Sequence, residues 1–139
     1  MQNALQFIVD GGGFLRINTA NGKVASIVVA NSDQLTDLRR NKPSLAQLDI
    51  TYGCNNERYK TAAIVYPCSE TNGTRVVCTA FLCDETAATM ELFLNQAKEI
   101  FSSDVPSYIF VDKDFGQLAI LHAVFPAARV FLCAFHVIK

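Results

Sequence analysis

The stretch Leu48-Asp49-Ile50-Thr51-Tyr52-Gly53 has the composition of a short β-strand that ends in a turn. Two further runs, Tyr59–Tyr66 and Arg75–Leu82, are also rich in β-branched and aromatic residues. The connections between the three runs are short and contain many turn-forming residues, which is typical of strands joined by tight turns. The pattern therefore predicts three antiparallel strands in a meander.

After the meander, the chain alternates between helical and extended patterns. Apolar residues recur at helical spacing over residues 90–101, and a second helix is predicted over residues 115–124. Between these helices, Tyr108–Val111 is wholly apolar, as expected of a strand that is buried on both faces. Arg129–Leu132 is predicted to be a fifth strand. The order β-β-β-α-β-α-β predicts an α/β fold with a mixed five-stranded sheet, in which the two late strands run parallel to the first.

The first 47 residues are predicted to form a lead-in of a short helix, a β-hairpin and a second helix. Residues 14–19 and 23–29 alternate apolar and polar side chains around Ala20-Asn21-Gly22, where Asn-Gly is a strong hairpin signal. Ser32 or Asp33 can cap the helix that follows, and Pro43 ends it. We therefore divide the chain into a lead-in, residues 1–47, and a main domain, residues 48–139.

The composition limits the classes of function. Half of the residues are hydrophobic and 18% are charged, which supports a packed core and excludes a disordered chain. The formal net charge of −1 disfavours a mainly electrostatic nucleic-acid binder. No apolar run approaches the ~18 residues that span a bilayer, and the N-terminus lacks the features of a secretory signal. We expect an intracellular protein with free thiols, no membrane partner and no evident small-molecule substrate.

Two aspartates are candidates for chemistry because of their positions relative to the predicted strands. Asp49 lies inside a strand, where aspartate is depleted, so its carboxylate must face solvent, be paired or bind a cation. Asp112 directly follows a buried strand, at the edge where sites of open α/β sheets gather, although it could also be a turn or cap residue. If the two strands are neighbours, the carboxylates repel unless a proton or a cation intervenes. Magnesium or manganese is then the expected ion, and such ions serve phosphoryl transfer.

A thiol and an imidazole lie three residues apart in Cys133-Ala134-Phe135-His136. On a helix, Cys133 and His136 share a face and could supply half of a zinc site, but tetrahedral zinc needs four ligands. His122 and Cys83 could complete such a set, although no spacing supports them. A second functional interpretation is a cysteine nucleophile paired with the histidine. The alternative is a purely structural role, in which the cysteine is buried and the histidine is hydrogen-bonded within an apolar helix.

Five segments resemble, in chain order, motifs of the MULE transposase domain. They are Leu48–Asn55 with its D-x-T-Y pattern, Glu85-Thr86, Ile109–Asp114, Ala119–Pro126 and Leu132–Val137. The sequence segments VDKDF and LCAFHVIK are most similar to the ribonuclease H-like domain of SWIM-type zinc-finger proteins of the ZSWIM group. These proteins resemble domesticated relatives of the transposases. The resemblance covers residues 48–139, about two thirds of the chain.

The resemblance implies a ribonuclease H-like fold, in agreement with the order of elements. In the transposases, two aspartates and a later glutamate bind divalent metal for DNA strand cleavage and transfer. Asp49 and Asp112 match the two aspartates, and Cys133 and His136 match the family's C-x-x-H segment. The third acid would lie beyond Lys139, and zinc is expected only in a SWIM finger outside this chain. The apolar ending of the chain indicates a domain truncated at its C-terminus.

Two functions follow from the resemblance. The first is a domesticated, non-catalytic module that binds nucleic acid or protein. The second is a metal-dependent DNA transposase or nuclease core that lacks its third acid in this chain, with Asp49 and Asp112 as catalytic ligands. DNA or nuclear proteins are the expected partners, and the nucleus is the expected location. Whether the chain is an enzyme stays open, although we expect this fragment to be inactive alone.

Overall fold

A computed structural model describes residues 8–51, 58–112 and 116–133 of the chain. Residues 8–10 are helical, and the longer elements follow in a regular order. They are β1 Phe14–Ala20, β2 Lys23–Ala30, α1 Ser32–Asn41, β3 Leu45–Thr51, β4 Lys60–Cys68, β5 Gly73–Leu82, α2 Ala87–Phe101, β6 Tyr108–Val111, α3 Leu118–Val124 and β7 Arg129–Leu132. The strands form one mixed sheet in the order β1-β2-β5-β4-β3-β6-β7.

The predicted meander and the predicted parallel strands are both present. β3 pairs antiparallel with β4, and β4 pairs antiparallel with β5. β6 runs parallel to β3, and β7 runs parallel to β6. The α/β class and the predicted order of the elements in the main domain are therefore confirmed.

The predicted number of five strands is wrong, because the hairpin of the lead-in joins the same sheet. β1 and β2 pair across the predicted turn, and β2 then pairs antiparallel with β5. β2, with the sequence KVASIVVA, is apolar on both faces, which suits a strand that has neighbours on both edges. β3 also begins at Leu45 rather than at Leu48, so the sheet runs through the boundary that we placed after residue 47.

The helix α1 begins one residue earlier than a cap at Ser32 implies and two residues earlier than a cap at Asp33 implies. Its N-cap is Asn31, whose side-chain oxygen accepts a hydrogen bond of 2.9 Å from the backbone N–H of Gln34. The Gln34 side chain in turn accepts from the Asn31 backbone at 2.8 Å, which completes a capping box. Ser32 therefore lies in the first turn of the helix. The sequence also favours Asp114 as the cap of the helix predicted over residues 115–124 and predicts the start of a further helix over residues 134–139; both lie outside the described residues.

The core lies between the helices and one set of alternating strand residues. Leu48 and Val111 belong to this buried cluster, together with Phe93 and Leu94 of α2. The residues of opposite phase, such as Gln47, are only half-buried. The side chains that flank Leu48 and Val111 therefore lie on the other face of the sheet. Among the described residues, no helix is long and apolar enough to cross a membrane.

Candidate functional site

The structure places Asp49 and Asp112 beside each other. Leu48 pairs with Val111 in the parallel ladder between β3 and β6. Asp49 directly follows Leu48 within β3, and Asp112 directly follows Val111, the last residue of β6. Neighbouring strands are about 4.8 Å apart, and residues in register point to the same face. The two aspartates therefore share one face at the carboxyl end of the parallel strands. Their role as metal ligands stays a prediction.

The surroundings of this aspartate pair suit a hydrated divalent cation. Both residues are half-buried, so their side chains remain partly accessible from solvent. Magnesium keeps several waters and is commonly bound through one or two carboxylates, so two aspartates fit that ion. No group of three or more His, Cys, Asp or Glu side chains that could hold a metal is present in residues 8–51, 58–112 and 116–133. Within these ranges, the pair is a two-carboxylate site.

Gln47 and Cys133 extend the same face and were not predicted to contact each other. Val111 also pairs with Leu132 of β7, so Cys133 occupies the next position in the row beside Asp112. The side-chain amide of Gln47 lies 3.9 Å from the Cys133 sulfur and donates to it. This contact crosses β6 and links β3 to the end of β7. The alternation of side chains along β3 was the available signal, because it places Gln47 and Asp49 on one face.

A second polar cluster lies at the end of the sheet where β3 terminates. The Lys60 ammonium, at the start of β4, forms an ion pair of 3.1 Å with the carboxylate of Glu85. The side-chain amide of Gln117 donates to the Glu85 backbone carbonyl at 3.0 Å. These contacts join the segment before α2 to β4 and to the segment before α3. Glu85 therefore contacts both β4, through its side chain, and the residue before α3, through its backbone carbonyl.

Asp84 stabilises the turn that precedes α2, whose N-cap is Thr86. Its Oδ1 accepts hydrogen bonds from the Thr86 backbone N–H at 3.0 Å and the Thr86 hydroxyl at 2.7 Å. Hydrogen bonds from the side chains of Thr89 and Thr86 and from the Thr86 backbone hold the pKa of Asp84 at about 2. The carboxylate is therefore ionised and already satisfied. Burial, together with the adjacent Asp84, raises the pKa of the Cys83 thiol.

The structure does not gather the described members of the predicted zinc set. Cys83 follows β5, His122 lies on α3 and Cys133 follows β7. No metal-binding group forms among them within the described ranges. His136 lies outside the residues that the structure describes, so the pairing of Cys133 with His136 stays a prediction.

Comparison with known proteins identifies the family. Residues 6–131 match the family model described as the RNaseH-like domain of zinc finger SWIM domain-containing protein 1/3, a range that contains both Asp49 and Asp112. No curated protein and no solved structure matches the chain. The match agrees with the mixed sheet and with the resemblance of the aspartate motifs. The chain belongs to the family of ribonuclease H-like domains of zinc finger SWIM domain-containing proteins 1 and 3.

Proposed function

We propose that this domain is a non-catalytic nucleic-acid-binding module of a SWIM zinc-finger protein, in which Asp49 and Asp112 hold a divalent cation. The observation that carries the proposal is the parallel register, which places the two aspartates next to each other on one face. The resemblance to transposase domains supports a nucleic acid as the partner and the nucleus as the location.

The charge of the chain indicates why a cation would be needed. The formal net charge is −1, and the candidate site itself is built from carboxylates. Such a surface repels phosphates unless a bound ion reverses its local charge. A magnesium or manganese ion at the pair would supply a positive centre for a phosphate oxygen, because such ions bridge carboxylates and phosphates. Asp49 and Asp112 would hold and orient that ion.

The second candidate function is metal-dependent DNA cleavage. The same two aspartates favour it, because they match the first two acids of the transposase motif. In the transposases that this chain resembles, strand transfer uses a third acid, so two carboxylates support binding more directly than cleavage. A nicking assay on supercoiled plasmid with manganese distinguishes the two functions. Cleavage that disappears in Asp49→Asn would establish the catalytic function and overturn the proposal.

Fluorescence anisotropy of labelled DNA and RNA oligonucleotides tests the proposed binding. We expect manganese to tighten the binding of at least one of these probes about tenfold relative to EDTA, a gain of about 1.4 kcal/mol. Asp49→Asn and Asp112→Asn should lose this gain. Glu91→Gln removes the same charge from an exposed position of α2 and should retain it. The same affinity in manganese and in EDTA would refute cation-mediated binding.

A further inference from the structure

The outer edge of β7 presents unpaired backbone groups within the part of the chain that the structure describes. β7 is the last strand of the sheet and pairs there with β6 alone. The Arg129 N–H donates to the Ser107 carbonyl, and the Cys133 N–H donates to the Val111 carbonyl. Because backbone groups alternate in direction along a strand, the N–H and C=O groups of Val130 and Leu132 point away from β6.

Two apolar side chains of β7, Phe131 and Leu132, are exposed. Phe131 is 43% exposed, and it stacks on Phe110 with 5.4 Å between ring centroids. Leu132 is 51% exposed and points to the other face of the sheet. The strand therefore offers apolar contacts on both of its faces as well as an open backbone edge.

The opposite edge of the sheet, β1, is protected by comparison. The register between β1 and β2 shifts at Asn18 and Thr19, where Ala25 of β2 is the extra residue, and such a bulge increases the local twist of the sheet edge. β1 also carries the exposed, charged side chain of Arg16, which forms an ion pair with Glu99 of α2. β7 pairs with β6 in an unbroken register from Arg129 to Leu132, and Arg129 is its single charged residue. The contrast indicates that β7 is the edge suited to pairing.

We propose that β7 pairs antiparallel with β7 of a second copy of this chain, about a twofold axis at Phe131. In this register, the outward N–H and C=O groups of Val130 form hydrogen bonds with the C=O and N–H groups of Leu132 in the other copy. The twofold axis generates the same pair of hydrogen bonds between Leu132 and Val130 of the other copy. A register centred on Val130 or Leu132 would pair only one of these two residues within the strand. The two sheets then join into one continuous sheet.

The side chains of this arrangement are self-complementary. Phe131 faces Phe131 of the second copy at a position without hydrogen bonds, where cross-strand side chains lie closest. Val130 faces Leu132 of the second copy on the face that carries the helices. The two copies of Arg129 lie at opposite ends of the paired strands, so they do not repel each other. These features favour a second copy of the chain as the occupant of this edge.

Sedimentation velocity of the 139-residue chain over a range of concentrations tests the proposal. Two variants disrupt the pairing differently. Phe131→Lys places like charges against each other at the twofold axis. Val130→Pro removes an outward N–H that β6 does not use. Ile17→Lys on β1 is the matched control, because Ile17 is 45% exposed on the other edge.

The wild-type chain and Ile17→Lys should shift from monomer to dimer as the concentration rises. Both β7 variants should remain monomeric at concentrations at which the wild type is a dimer, with unchanged circular dichroism. If Phe131→Lys fails to fold, the sedimentation of Val130→Pro alone tests whether β7 forms the dimer contact. A wild-type chain that stays monomeric throughout would overturn the proposal, and so would a dimer that persists in a folded Val130→Pro chain.

Discussion

Replacing Phe93 by alanine should lower the free energy of unfolding by about 3–5 kcal/mol. Phe93 is fully buried in α2 and belongs to the cluster that joins the helices to the sheet. Alanine would remove the ring's contacts and leave a cavity that the surrounding side chains fill only in part. Because small domains are stable by about 5–15 kcal/mol, this loss would be a large share of the total.

The neighbouring Leu92 provides the matched control. Leu92 lies on the same helix but is 42% exposed, so Leu92→Ala should change the free energy of unfolding by about 0.5 kcal/mol or less. Urea unfolding followed by circular dichroism measures both variants under the same conditions. Similar losses for the two substitutions would mean that α2 does not bury the face that contains Phe93.

Manganese should raise the melting temperature of the wild-type domain by several degrees and should have no such effect on Asp112→Asn. The two carboxylates lie side by side only in the folded chain, so the ion binds the native state in preference to the unfolded state. At a free concentration one hundred times the Kd, such binding stabilises a protein by about 2.7 kcal/mol. For a domain of this size, that free energy corresponds to several degrees. Differential scanning calorimetry with and without manganese measures the shift.

The same experiment in EDTA gives the cation-free baseline. In EDTA, Asp112→Asn should melt close to the temperature of the wild type, because Asp112 is half-buried and does not belong to the core. Glu91→Gln, which changes an exposed residue of α2, should keep the wild-type response to manganese. Equal stabilisation of wild type and Asp112→Asn would place the bound ion elsewhere on the chain.

Much of the arrangement around the two aspartates could be predicted from local sequence. Tyr108–Val111 is wholly apolar, which is typical of a central strand. The prediction that both of its faces are buried is wrong, because Ile109 and Val111 are buried in the core whereas Tyr108 is 39% exposed on the other face. A strand that follows a meander and a helix returns most simply in a parallel orientation beside the first strand. Once β6 lies beside β3 with Val111 opposite Leu48, Asp49 and Asp112 directly follow the paired residues and are therefore neighbours.

The attachment of the first hairpin to the sheet could not be derived in the same way. The turn at Asn21-Gly22 is a local signal, and the hairpin forms where it was expected. Its docking on β5 depends on pairing between Ser26 and Leu82, which lie far apart in the sequence. The apolar run of β2 was the one local indication that this strand has neighbours on both edges. The prediction of five strands missed that indication.

The polar contacts around the candidate site were beyond sequence reasoning for a similar reason. Gln47 and Cys133 are 86 residues apart, and their contact depends on the register of three strands. The ion pair between Lys60 and Glu85 depends on how the segment before α2 returns to the start of β4. Neither contact follows a spacing rule, because both arise from the packing of complete elements.

A manganese titration followed by electron paramagnetic resonance tests whether Asp49 and Asp112 hold a divalent cation, because the signal of free manganese falls as the ion binds. We expect saturable binding of one ion per chain in the wild type and in Glu91→Gln. Asp49→Asn and Asp112→Asn should each weaken that binding by at least about tenfold, or about 1.4 kcal/mol. If the wild-type chain binds no manganese, or if both aspartate variants bind it as tightly as the wild type, Asp49 and Asp112 do not hold a divalent cation.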